Sequence, residues 1–245
     1  MSHRFFVDEK DIASSEIVLT GENAAHAAVL RLVPGEEIVV CDGIATDYFC
    51  VAVICDKNKT TAKILRKVPN LAEPPIAVTL FQALPKVAKM DEIVDKCTQL
   101  GVLRIVPVLT ARCVAKTSDR DAKKMARWQK IARAAASQSQ RGRIPQICDV
   151  MTFEAALVDA KTHDAAFACY EGERRLSLKA FLQGLPKSPV SVAFFIGPEG
   201  GFTDDEATKF KENGISTISL GARILRTELA GAVVLANVLY ELDCT

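Results

Sequence analysis

Two rhythms divide the chain. Over the first seventy residues the apolar positions come in short runs, EEIVVCD, YFCVAVICD and TTAKILRKV, rich in Val, Ile, Thr and aromatic residues and punctuated by turn formers. That pattern predicts short β-strands. One helical piece, ENAAHAAVLRL, interrupts them, with Pro34-Gly35 as its expected end. Strands at this spacing predict a small barrel. LAEPP then places two consecutive prolines where neither helix nor ladder accepts them, so it predicts a linker between residues 1–72 and 73–245.

Beyond the linker the rhythm changes. VTLFQAL (78–84) predicts a strand, and 88–100 carries Met90, Ile93, Val94, Cys97 and Leu100 at helical spacing, with Gly101 as a C-terminal stop. RIVPVL (104–109), DAAFACY (164–170), SVAFFIG (191–197) and STISL (216–220) predict further strands. Helical patterns lie between them, including a long Ala-rich one at 120–139. Strand alternating with helix predicts an α/β domain with a mostly parallel sheet. The last pattern, TELAGAVVLANVLYEL, is apolar on nearly every face, so it needs cover all round, from a core or from a second subunit.

Composition narrows the class. No run of apolar residues is long enough to span a bilayer, so no membrane role is expected. The N-terminal MSHRFFVDEKD has no apolar stretch before its acids, and no secretory signal is expected there. The eight cysteines are scattered, with no CxxC pair and no histidine beside a cysteine cluster. That argues against a metal site and for a reducing, cytoplasmic compartment. The net charge of +1 conceals a local excess: residues 112–143 carry ten basic and two acidic side chains. Such a field attracts a polyanion.

Two loops attract chemistry. IGPEGGFTDDE follows one apolar run, and Thr203 and Glu206 have the spacing of a capping box. The loop lacks the lysine of a phosphate-binding P-loop and the G-x-G-x-x-G of a dinucleotide site. Acids crowd the helix start where a phosphate would sit, so a ligand without phosphate, even a cationic one, suits it better. LGARILRTELAG follows the next strand, with Thr227 as the expected N-cap of the final helix.

IGPEGGF and LGARILRTE, in this order and about twenty residues apart, together resemble the SPOUT class of RNA methyltransferases. More narrowly they resemble the family that methylates N3 of a uridine in small-subunit (16S) ribosomal RNA. HRFFV, HAAVLRL, KMDEIVDKCTQLGV, TARCV and WQKIARAAASQSQRGRIP extend the resemblance over the whole chain. It implies an N-terminal PUA-like β-barrel and a C-terminal α/β domain tied in a trefoil knot. It also implies S-adenosylmethionine as cofactor, held by Ile196, Gly197, Pro198, Glu199, Gly200 and Gly201 of the first loop and by Ser219, Leu220, Gly221, Ile224 and Leu225 of the second. A sulfonium ligand without phosphate agrees with the chemistry of the first loop.

Methyl transfer from a sulfonium is an in-line displacement in which positioning dominates. The N3 proton must leave, and Arg226 is the candidate for stabilising charge on a uracil carbonyl oxygen. Glu228 is a weaker candidate for a base than for a helix-start residue.

Arg120, Lys123, Arg127 and Lys130 share one helical face. The expected RNA contacts are Arg4, His26 and Arg31 in the barrel, then Lys89, Arg112, Lys116, Lys123, Arg127 and Arg141. Gln99, Ser137 and Leu229 depart from the family pattern near the substrate side, and Gln140 stands where the pattern has glycine. The expected partners are 16S rRNA in the small subunit and a second copy of the chain. A knotted ribose 2′-O-methyltransferase and a non-catalytic RNA-binding assembly factor remain alternatives.

Overall fold

The computed structural model describes residues 3–44, 46–86, 89–113, 121–185 and 189–242. They form two compact units. The first comprises residues 1–73 and 136–144, the second residues 74–135 and 145–245.

In the first unit, β1 (His3–Phe6) is followed by a 3-10 turn, β2 (Glu16–Thr20), α1 (Gly21–Val29), β3 (Glu37–Cys41), β4 (Thr46–Asp56) and β5 (Lys59–Pro69). The order in the sheet is β1-β3-β4-β5-β2, antiparallel except for the β1–β3 pair. Phe5 from one end of this order and Ile17 and Leu19 from the other share one core with Ile38, Val40, Cys50, Ala52 and Ala62. Opposite ends meet in one core only if the sheet curls. The apolar runs predicted β3, β4 and β5, while β1 and β2 were not read from the sequence.

Helix α1 stops earlier than Pro34-Gly35. Arg31 takes a left-handed φ of 56°, and the Leu32 N–H donates to Ala27 O at 3.0 Å, which turns Leu32 into the core.

Two arginines are internal to this unit. Arg4 donates to Asp47, at 2.5 and 3.1 Å, and to the Arg141 carbonyl. Arg141 forks onto Glu73 at 2.7 and 3.1 Å, and Glu73 also accepts the N–H groups of Gly142 and Arg143. Both guanidinium side chains are 2% exposed. The RNA contacts expected of Arg4 and Arg141 are therefore corrected. A buried charge needs its partner inside the protein, and here the two pairs fasten residues 136–144 to the sheet.

The second unit alternates β6 (Ala77–Ala83), α2 (Lys89–Gln99), β7 (Arg104–Leu109) and α3 (Asp121–Gln138), whose last residues reach the first unit. Then come β8 (Gln146–Ile147), β9 (Met151–Thr152), α4 (Phe153–Ala160), β10 (Ala165–Cys169), α5 (Leu178–Gln183), β11 (Ser191–Ile196), α6 (Asp204–Glu212), β12 (Ser216–Ile218) and α7 (Thr227–Glu241). The sheet order is β12-β10-β11-β6-β7-β8, with β9 also on β7, and every pair is parallel. Its strands are nearly continuous apolar runs because helices cover both faces. Gly101, at φ 106°, ends α2 as its sequence predicts; an added Cβ would lie 2.6 Å from Pro74.

Helix α7 is covered on one side only. Ala230, Gly231, Val234, Leu235, Val238 and Leu239 are buried, whereas Leu229 and Tyr240 are 43% and 72% exposed.

Candidate functional site

Parallel sheets bind ligands beyond the carboxyl ends of their strands. Here the neighbouring strands β12, β10 and β11 send three loops to one cavity of about 540 Å³, a volume suited to a cofactor-sized ligand.

The first wall follows β11. Gly197 and Gly201 stand so close that a Cβ on Gly197 would lie 3.1 Å from Gly201 Cα, and Gly201 adopts φ 66°. The Gly201 N–H donates to Pro198 O at 2.9 Å, closing the turn. Thr203 caps α6 with the full reciprocal box: its hydroxyl accepts from Glu206 N–H, and Glu206 accepts the Thr203 N–H. Glu206 also accepts the Ala111 N–H, and Arg112 donates to the carbonyls of Gly200 and Phe202 at 2.5 and 3.2 Å. Arg112 therefore buttresses the loop, although RNA contact was expected of it.

The second wall, residues 219–227, follows β12. Ser219 is fixed by its N–H to Leu176 O and its carbonyl to Leu178 N–H, and its hydroxyl accepts from Gly221 N–H. Thr227 was the expected N-cap of α7, but Arg226 occupies that position, without a side-chain cap. The buried Thr227 hydroxyl instead donates to Gly197 O at 2.7 Å and accepts from Gln82 Nε2 at 3.0 Å. Arg226 is 85% exposed at the cavity, with Glu228 3.9 Å away.

The third wall, Cys169 at the end of β10 with Tyr170, Glu171 and Arg174 after it, escaped sequence reasoning. Its signal was the predicted strand DAAFACY, since neighbouring parallel strands aim their following loops at the same edge. The Glu171 carboxylate occupies the space that a side chain on Gly201 would need. Glu173 anchors this wall. The Arg175 N–H and the Thr217 hydroxyl, with the N–H groups of Arg174 and Leu176, overcome partial burial and hold its carboxyl down to about 2.

Glu199, the acid in the middle of the glycine loop, turns toward the segment after β6. It accepts the Lys86 N–H at 3.1 and 3.3 Å and pairs with Lys89 at 3.2 Å. Burial opposes its charge, yet backbone N–H groups and Lys89 outweigh that and keep its carboxyl below the ordinary range. Lys89 also meets Glu228 at 3.1 Å.

The structure thus gathers Ile196, Gly197, Pro198, Glu199, Gly200, Gly201, Ser219, Leu220, Gly221, Ile224, Leu225 and Arg226 around one cavity, with Lys89 beside them. The other expected residues lie elsewhere. His26 and Arg31 are exposed at the end of α1, and Lys123 and Arg127 are exposed on α3. Arg127 pairs with Asp91, which also accepts from the Trp128 indole. Lys116 and Arg120 lie outside the described residues. Among the described residues no group of acidic, histidine or cysteine side chains is arranged to hold a metal.

The RNA methyltransferase domain family matches residues 72–239. The chain belongs to this family. The family's RNA methyltransferase PUA domain matches residues 19–65, within the curled sheet. A Bacillus subtilis protein named ribosomal RNA small subunit methyltransferase E is 33% identical over 231 residues, spanning 92% of this chain and 90% of its own. A Synechocystis protein of the same name is 34% identical over 240 residues, spanning 97% and 77%. A crystal structure of ribosomal RNA small subunit methyltransferase E from Neisseria gonorrhoeae, bound to S-adenosyl methionine, matches with a TM-score of 0.85 at 28% identity over 98% of each chain. The PUA-like sheet followed by a parallel α/β unit agrees with the fold expected from the sequence.

The residues present suit S-adenosylmethionine. Tight glycines bring backbone groups to the cavity surface, and among the described residues the lysine lining it, Lys89, is shared by two carboxylates, while Arg174, Arg223 and Arg226 stand around the same cavity.

Proposed function

We propose that this enzyme methylates N3 of a uridine in 16S ribosomal RNA of the small subunit, using S-adenosylmethionine. The observation that carries the reading is the glycine-walled cavity of about 540 Å³ with Arg226 exposed at its edge. When bound, the cofactor supplies an electrophilic methyl group on a sulfonium. The protein's part is to hold the donor between the loops at 196–201 and 219–225 and to place the base against it. Arg226 projects from the N-cap of α7, where its guanidinium and the helix dipole both favour negative charge on a uracil carbonyl oxygen.

Glu199 and Glu228 make poor proton acceptors. For Glu228, its own backbone N–H and Lys89 outweigh burial, and its carboxyl stays below the ordinary range as that of Glu199 does. A carboxylate so stabilised is mismatched to a weakly acidic ring N–H. Stabilising the uridine anion, rather than abstracting its proton with a strong base, is the role left to the protein.

Lys123 and Arg127 on α3, with His26 and Arg31 at the end of α1, supply exposed basic or titratable groups for RNA phosphates. The uncovered side of α7, with Leu229 and Tyr240 and the 87% exposed Ile224 before it, supports assembly as a homodimer. Among the described residues no helix is long and apolar enough to cross a membrane; the scattered free cysteines support a cytoplasmic location.

The test is to supply labelled S-adenosylmethionine with small subunits lacking the modification, then digest the RNA and identify the nucleoside. N3-methyluridine is the expected product. A ribose-methylated nucleoside, or no transfer despite RNA binding, overturns the reading.

A further inference from the structure

Lys89 was expected to meet RNA, yet its ammonium is engaged inside the second unit. It begins α2 and lies 3.2 Å from Glu199 of the glycine loop and 3.1 Å from Glu228 of α7. Glu199 lies in the first wall of the cavity and Glu228 just beyond the second, 29 residues apart in sequence. Glu228 is two residues beyond Arg226, and its side chain is only 12% exposed. Glu199 is also fixed by the Lys86 N–H. The three charged groups therefore form a bridge from the segment after β6, through the glycine loop, to the turn that presents Arg226. Without Lys89, Glu199 and Glu228 would both lose the ammonium they share. The nearest remaining cation for Glu228 would be Arg226 itself, already 3.9 Å away.

Resting on the proposed methyl transfer, we propose that Lys89 is a positioning residue which, by sharing its ammonium between Glu199 and Glu228, sets the separation of the cofactor loops and leaves Arg226 directed at the substrate. It acts through the two glutamates and touches neither the methyl group nor the RNA phosphates.

The test compares Lys89→Ala, Lys89→Arg, Glu228→Gln and Arg226→Ala in the full-length protein, with folding checked by circular dichroism. S-adenosylmethionine affinity is measured by calorimetry without RNA, and transfer is measured at saturating cofactor. Lys89→Ala is expected to weaken cofactor binding about five- to tenfold, with Lys89→Arg recovering most of the loss. It should slow transfer about tenfold or more, yet the Lys89→Ala/Arg226→Ala double variant should be no slower than Arg226→Ala alone. If Lys89→Ala does not fold, Lys89→Gln, which keeps the stem and removes the charge, takes its place in the same cycle, and Glu228→Gln, which leaves no carboxylate to draw Arg226 back, should slow transfer less than either. Losses that multiply in the double variant, or unchanged cofactor affinity with a shallower salt dependence of RNA binding, overturn the proposal. Should the native protein bind the cofactor but not methylate RNA, the proposed reaction fails, while the affinity measurements still decide the role of Lys89.

Discussion

The hydroxyl of Thr227 donates to the carbonyl oxygen of Gly197 at 2.7 Å, joining the start of α7 to the loop after β11. The Thr227 hydroxyl oxygen in turn accepts from the fully buried Gln82, so the direction of the chain of hydrogen bonds is fixed: Gln82 to Thr227 to Gly197. Replacing Thr227 with valine keeps the volume but removes the partner of the half-buried Gly197 carbonyl and one of the two hydrogen bonds of the buried Gln82 amide. A loss of about 1–3 kcal/mol is expected, with Thr227→Ser closer to the native protein. Urea unfolding checks this; a valine variant of native stability would show that the link does not hold the walls.

Arg226 is exposed and makes only a long contact with Glu228, so its removal leaves little unsatisfied inside the protein. Arg226→Ala is expected to fold normally and bind S-adenosylmethionine with near-native affinity. Methyl transfer should fall by roughly 100-fold or more, the usual cost of removing a donor aimed at developing charge. Calorimetry and single-turnover transfer separate the two effects, and undiminished turnover would end the assignment.

Lys123 and Arg127 are exposed on successive turns of α3. If they meet phosphates, Lys123→Ala/Arg127→Ala should weaken RNA binding and reduce the slope of log affinity against log salt by about 1 for each contact removed. Filter binding over a range of salt measures it. An unchanged slope would take this face out of the interface.

Glu173 gives the cavity's third wall a pH dependence. Its folded-state carboxyl is depressed to about 2 from 4.5, first by the Arg175 N–H and then by Thr217. A depressed carboxyl contributes stability that is present above the unfolded value and lost as pH falls through the folded one. The native protein should therefore exceed Glu173→Gln in stability by on the order of 1 kcal/mol near neutrality, allowing for solvent screening. The gap should close between pH 4.5 and about 2. Urea midpoints across that range test it, and a gap independent of pH would assign the effect to packing.

Gln140 holds φ 61° just after α3, where the family pattern carries glycine. The Arg141 N–H donates to Ala136 O at 3.0 Å across this turn, as a left-handed helix end requires. Gln140→Gly should raise stability by about 1 kcal/mol, since glycine meets no Cβ penalty there. Thermal unfolding checks the sign. A lowered midpoint would mean that the Gln140 side chain compensates its backbone strain.

The alternation of apolar strands with helical periods determined the parallel α/β unit. The Thr203–Glu206 box and the Gly101 stop were likewise local, because each depends on residues a few positions apart, and each of the loops IGPEGGF and LGARILRTE is a short continuous run. Only the tertiary structure decided where the charges went. Arg4 meets Asp47, Arg141 meets Glu73, and Glu199 meets Lys86 and Lys89 across 43, 68, 113 and 110 residues of sequence, respectively. No period in the sequence records such pairings. They arise because a charge leaving water takes the nearest opposite partner that the packed backbone supplies. Arginines that looked like RNA contacts thus became internal pairs, and the glutamate of the glycine loop became one end of a bridge to Glu228.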